Sequence, residues 1–251
     1  NLWFASQSGL YQSTPDGHIL KKYDTMNSVL TTNTILSLYV DPMNRLWIGS
    51  KFGLFLLDIT TGKMRADCFN TPIKGEIKYI MEDSRKDMWV CTDNGLYKVG
   101  KDLIVNDHFT TDNLLPDNQV YCIQEDIHGI YWITTQKEIV RYNPAEKQHY
   151  TYQRQDGLSG LEFNNSLFVS NDSIIWWSNE GGLVYTSIRN IDTDPHFTYK
   201  PTITSYVVSD TEYDFPYVDI SEGIVLPSSE NNLRFKFSNM DYALPYANIY
   251  E

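Results

Sequence analysis

The sequence predicts an all-β chain, in which a β-propeller leads into an immunoglobulin-like β-sandwich. Three observations carry this reading. Tryptophans 3, 47, 89, 132 and 176 recur every 42 to 44 residues, each within a short apolar run such as Leu46-Trp47-Ile48 or Tyr131-Trp132-Ile133. A glycine follows six residues after four of them, at Gly9, Gly53, Gly95 and Gly182. No segment shows a competing helical period. Strand-like repeats of about 40 to 50 residues are propeller blades.

Each blade is expected to hold four strands. The inner strand precedes the tryptophan, at Ile35 to Val40, Ile77 to Glu82, Val120 to Glu125 and Ser166 to Ser170; these runs mix apolar and polar residues. Asp41, Asp83 and Asp126 stand six residues before their tryptophans, where an aspartate supports a turn by bonding its own backbone. The second strand carries the tryptophan, whose large ring is expected to pack between adjacent blades. Trp177 falls outside the register and is free for another role. The glycine then supplies a tight hairpin, and since Glu138 takes its place in the fourth unit, that hairpin is expected to differ. The outer strand is expected at Ile19 to Tyr23, Lys63 to Asp67, Leu103 to Asp107 and Lys147 to Tyr152.

The repeat ends after Tyr185. Asp192-Thr193-Asp194-Pro195 has linker composition, and the strands at Ile203 to Val208, Gly223 to Pro227 and Leu233 to Phe237 lack the period. The expected division is therefore a propeller over 1–197 and the start of a sandwich over 198–251. Leu233, Phe235 and Phe237 alternate with Arg234 and Lys236, which predicts one buried and one wet face. The first tryptophan strand has no inner strand ahead of it, so the chain is expected to be an excerpt of a longer protein.

Composition narrows the function. The 251 residues carry 20 Lys+Arg against 32 Asp+Glu, a formal charge of −12, which disfavours nucleic acid and anionic lipid surfaces. No 18-residue apolar run could span a membrane. Three cysteines form no paired spacing. Cys91 stands where sister blades have Ala5, Gly49 and Thr134, so it is expected to be a small buried residue.

Catalytic candidates dissolve on inspection. Glu82-Asp83 and Glu125-Asp126 occupy the same repeat position, which argues for turns. His18, His108, His128, His149 and His196 show no metal-ligand spacing. No phosphate loop or nucleophile elbow occurs. Neither an enzyme activity nor a cofactor or metal is expected. Individuality lies instead in the loops of one face. The hairpins carry Lys51, Phe52, Asp93, Asn94, Gln136, Lys137, Asn179 and Glu180. The inter-blade loops carry Asp112, Asn113, Asp117, Asn118, Glu162 and Asn164. Aromatic residues make up 14%, and rings with polar edges suit sugar faces and protein interfaces.

The run Leu46-Trp47-Ile48-Gly49-Ser50-Lys51-Phe52-Gly53-Leu54 resembles the two-component regulator propeller repeat. Glu230-Asn231-Asn232-Leu233-Arg234-Phe235-Lys236-Phe237, continuing to Asp241-Tyr242, resembles the opening of the Tyr-Tyr-Tyr domain that follows such propellers. Gly160-Leu161-Glu162-Phe163-Asn164 resembles the lead-in to the last blade. Together they resemble the sensor region of Bacteroides-type hybrid two-component system proteins. That resemblance implies part of a seven-bladed propeller, of which five tryptophan strands are present. It implies a periplasmic, membrane-anchored sensor that binds glycan-derived oligosaccharides, dimerises through its sandwich region and controls a histidine kinase elsewhere in the protein. An interaction scaffold without a small ligand, or an extracellular propeller lyase or glycosidase, are the other classes the sequence allows.

Overall fold

A computed structural model describes residues 1–66, 68–136, 138–153, 163–170, 174–179, 182–188, 202–208, 211–214 and 232–238. The chain falls into two compact units, 1–191 and 192–251. All the described elements are β-strands.

The first unit is a series of small antiparallel sheets whose strands pair in chain order. The first sheet holds β1 (Leu2–Ser6), β2 (Gly9–Ser13) and β3 (Ile19–Tyr23); the second holds β4 (Ile35–Val40), β5 (Arg45–Ser50), β6 (Gly53–Asp58) and β7 (Met64–Arg65). The third comprises β8 (Ile77–Glu82), β9 (Met88–Thr92), β10 (Gly95–Val99) and β11 (Val105–Phe109), and the fourth β12 (Val120–Glu125), β13 (Tyr131–Thr135), β14 (Ile139–Asn143) and β15 (Gln148–Tyr152). The fifth has β16 (Phe163–Val169), β17 (Ile174–Asn179) and β18 (Gly182–Ser187). Strands β4, β8, β12 and β16 lie side by side in that order, so the sheets are blades radiating from an axis lined by inner strands.

Two expected strands shift for local reasons. Leu103 adopts a φ of 66° and its amide closes a turn onto Gly100 O at 2.9 Å, so the outer strand of the third blade begins at Val105. In the second blade the outer strand is only Met64–Arg65, and Asp67 lies outside the described residues. The recurring glycines have φ of 131°, 131°, 101° and 125°, the left-handed side that other residues avoid. At Glu138 the pairing stops one residue earlier, at Thr134 with Ile139, yet Thr135 Oγ1 still donates to Glu138 O at 3.0 Å, as Ser50 and Thr92 do to Gly53 and Gly95.

Trp47, Trp89 and Trp132 each pack on the blade that follows. Trp47 meets Ile77, Ile80 and Val90, Trp89 meets Val120, Ile123 and Ile133, and Trp132 meets Leu167, Ile175 and Trp177. These three rings are buried. Trp3 and Trp176, in the first and fifth sheets, are only partly buried, Trp176 stacking on the exposed Tyr185. The expectation that Trp177 is free is overturned: it is 5% exposed. It occupies the position of Ile48, Val90 and Ile133, which faces the preceding blade.

The repeated aspartates do more than shape turns. Asp41, Asp83 and Asp126 each accept two backbone amides on Oδ1 and their own blade's indole N–H on Oδ2, at 2.9, 2.9 and 3.0 Å for the indoles. In the fifth blade Ser170 stands in this place and accepts the Ile174 amide.

In the second unit β19 (Thr202–Val208) pairs antiparallel with β20 (Thr211–Asp214) on one side and β21 (Leu233–Ser238) on the other. The strands expected at Ile203 to Val208 and Leu233 to Phe237 are present, while Gly223 to Pro227 lies outside the described residues. Phe235 is 46% exposed, against the expectation of a buried face; among the described residues no second sheet covers it.

Candidate functional site at the axial mouth

Each of the first three complete inner strands begins with a bulge. The register slips between Ile35 and Ser37, Ile77 and Tyr79, and Val120 and Cys122, which leaves Leu36, Lys78 and Tyr121 as the extra residues. A bulge re-aims its side chain out of the pleat. Here it brings two equivalent positions of neighbouring blades together. Lys78 Nζ stands 3.9 Å from the centroid of the Tyr121 ring in the next blade and donates to Gln119 Oε1 at 3.0 Å.

Lys78 is only 9% exposed. Burial lowers its pKa, and Glu76, Asp93 and Asp117 oppose that effect by favouring the ammonium. None of the ion pairs among the described residues includes it. Two of these carboxylates are held by backbone: Asp93 Oδ1 accepts the Glu76 amide at 3.0 Å and Asp117 Oδ1 the Gln119 amide at 2.8 Å. The result is a buried ammonium and an aromatic face with an amide and three carboxylates around them. This can accept and donate hydrogen bonds to one polar ligand at once.

The residues expected at this face divide. Asp93 joins the Lys78 cluster. Asn94 does not: its carbonyl bonds His108 Nε2 at 2.7 Å, on the outer strand, where the His108 ring stacks 3.9 Å from that of Tyr97. Lys51 lies 5.8 Å above the exposed Phe52 ring in the second blade's hairpin. Gln136 is partly buried beside the fourth hairpin. Lys137, Glu162 and Glu180 lie outside the described residues, as do the side chains of Asn164 and Asn179. Asp112 is exposed in its loop. Asn113 and Asn118 fasten their own loop, accepting the Thr110 and Thr111 amides at 2.8 and 2.9 Å, as Asn27 and Asn33 do for Asp24 and Thr25 in the loop between the first and second blades. Lys78, Gln119 and Tyr121 went unnoticed in the sequence. Their signal is a lysine and a tyrosine where the sister strand has Leu36.

The other polar candidates are structural. Glu82 binds Lys86 at 3.2 Å and Tyr39 at 3.4 Å, while Glu125 accepts the Ser84 hydroxyl and amide, each at 2.7 Å. Cys91 is fully buried and burial drives its thiol well upward; Cys122 is pushed up to about 12 by the same cause. Neither is a thiolate nucleophile at neutral pH. Among the described residues no group of histidine, cysteine or acidic side chains is arranged to hold a metal.

With the blades and their axial mouth in place, comparison with known proteins is decisive for the repeat. Residues 29–52 and 114–137 match the family model described as the two component regulator propeller. These are two-component regulator propeller repeats. Both matched segments run from an inter-blade loop through the bulged inner strand toward the hairpin, and so include Leu36 and Tyr121. A histidine kinase P4 of Formosa agariphila is 26% identical over 167 residues, covering 62% of this chain and 12% of that protein. The extracellular domain assigned to the hybrid two component system BT3049 of B. thetaiotaomicron has the same fold, with a TM-score of 0.77 and 23% identity over 94% of this chain and 33% of its own. A second extracellular domain from that organism, BT4673, gives 0.62 and 22% over 74% and 28%. The chain thus spans about a third or less of the length of these relatives.

Proposed function

We propose that this chain is the ligand-sensing region of a hybrid two-component system protein, exposed in the periplasm and without catalysis of its own. It recognises oligosaccharides released from glycans and passes the signal across the membrane to a histidine kinase in the same protein. The observation that carries this reading is the cluster of Lys78, Gln119 and Tyr121. A repeating regulator propeller frame presents three polar or aromatic groups there at positions that differ from blade to blade, which is where a scaffold places specificity. The extracellular domains that share the fold support the compartment, and the histidine kinase relative supports the output. On this reading the second unit opens a Tyr-Tyr-Tyr sandwich, from about residue 198, that brings two copies together.

Calorimetric titration of the full-length protein with a panel of oligosaccharides tests the proposal. Saturable binding of at least one saccharide, together with a change in kinase autophosphorylation, is the expected result. Absence of both across the panel would leave an interaction scaffold as the better reading.

A further inference from the structure

The proposed function leaves the chemistry of the ligand open; the geometry around Lys78 narrows it. An ammonium has three N–H donors and no acceptor. One of them reaches Gln119 Oε1 at 3.0 Å, and the charge lies over the Tyr121 ring at 3.9 Å. A carboxylate sharing this site would be expected to sit in direct contact with Lys78, since a buried charge is stable only when paired. Instead Glu76, Asp93 and Asp117 act on it from outside ion-pair range. Two of them have one oxygen fixed by a backbone amide. The ammonium donor and its carboxylate acceptors are therefore near one another without direct pairing, an arrangement that a ligand hydroxyl, donor and acceptor at once, can join.

We infer that the mouth formed by Lys78, Gln119, Tyr121, Asp93 and Asp117 binds an uncharged saccharide through a pair of neighbouring hydroxyls, and discriminates against uronates and sulfated sugars. This rests on the reading of the chain as an oligosaccharide sensor. A hydroxyl is both acceptor and donor: its oxygen accepts from Lys78 Nζ while its hydrogen is donated to an aspartate. The adjacent hydroxyl takes the Gln119 amide N–H. An acidic sugar would gain one ammonium but face three carboxylates, on a chain of formal charge −12. Like charges brought together in a partly desolvated mouth oppose binding.

The test uses the full-length protein and two panels: neutral oligosaccharides (malto-, xylo-, manno-, galacto- and cello-oligosaccharides) and acidic ones (oligogalacturonates and chondroitin sulfate disaccharides). The expected result is binding of a neutral sugar with little dependence on ionic strength. Lys78→Met should weaken it about ten- to hundredfold, as for loss of a hydrogen bond from a charged group. Asp117→Asn and Gln119→Ala, at more accessible positions, should weaken it in the same direction and keep the test open if Lys78→Met fails to fold. Lys101→Ala, in the turn between β10 and β11, should leave it unchanged. Neutral binding untouched by the three mouth variants, or binding of acidic sugars alone, would overturn the inference while leaving the sensor reading intact. Failure of every sugar in both panels would instead overturn the sensor reading and this inference with it.

Discussion

The hydroxyl of Tyr131 donates to Oδ2 of Asp83 at 2.6 Å, across the boundary between the third and fourth blades, on the same oxygen that accepts the Trp89 indole at 2.9 Å. Both residues are buried. One carboxylate thus fastens its own blade's turn and tryptophan and also holds the neighbouring blade. The Tyr131 and Trp89 rings meet with centroids 4.7 Å apart, so the polar bond and the aromatic contact reinforce one interface.

Tyr131→Phe keeps the ring and removes the hydroxyl. It should cost about 1.5 to 3 kcal/mol, the range for a hydrogen bond to a charged group. Chemical denaturation measures it, and a double-mutant cycle with Asp83→Asn should show clear coupling. Additive effects would mean that the two groups act independently.

Truncating the tryptophans should grade them by burial. Trp89→Ala is expected to destabilise by about 3 to 5 kcal/mol, as for a buried aromatic. Trp176→Ala should cost clearly less, because its ring is only partly covered. Equal losses at the two sites would mean that a further surface covers Trp176.

Trp177 and Trp132 should respond oppositely to phenylalanine. The Trp132 indole donates to Asp126 at 3.0 Å, whereas the buried Trp177 Nε1 has no partner among the described residues. Trp132→Phe should lose roughly 1 to 3 kcal/mol; Trp177→Phe removes an unsatisfied donor and should be close to neutral. A large loss at Trp177 would show that its nitrogen does find a partner in solution.

Acid should loosen the blades in a defined window. Burial pushes Asp41 and Asp83 upward, but the Trp47 indole and Arg45 for the one, and Tyr131, Trp89 and backbone amides for the other, outweigh it and hold both below the ordinary 3.8. A carboxyl whose folded pKa is depressed contributes stability that is present above its unfolded value and lost as pH falls through the folded one. Melting temperature should therefore decline below about pH 4, and Asp83→Asn should flatten part of that decline. Parallel curves for the two proteins would remove Asp83 from the explanation.

Lys78 carries the opposite sign. Its folded pKa lies below 10.5 because of burial, so its charged form is less favourable folded than unfolded. That penalty is complete below the folded pKa and disappears as pH rises past 10.5. Lys78→Met should raise the melting temperature at neutral pH. A fall would mean that the Gln119 bond and Tyr121 ring outweigh desolvation.

The blades were legible because period, turn glycine and tryptophan repeat together, and each repetition checks the others. The Asp-to-Trp spacing of six was visible too, although only the structure shows that it brings carboxylate and indole together. The axial mouth was not legible. A bulge adds one residue without changing the period, so Lys78 reads as an ordinary polar member of its strand. Loop variability pointed elsewhere for a similar reason: Asn113 and Asn118 look like surface individuality, yet Asn27 and Asn33 repeat their bonds in a loop of different length. Trp177 was misplaced because a tryptophan register marks one face of the strand, and the residue beside it belongs to the other.

The clasp of aspartate, turn and indole closes within a single blade, so it survives when a blade is copied and needs nothing from its neighbours. The bonds from Tyr131 to Asp83 and from Ser84 to Glu125 are different, since each joins one particular pair. The first kind of contact makes blades easy to duplicate; the second works like an address, giving each copy a place in the ring. A chain with its third and fourth blades exchanged would keep every clasp and lose its addresses. It would therefore be expected to form sound blades that seat poorly against one another, separating the ability to fold a unit from the ability to order the units.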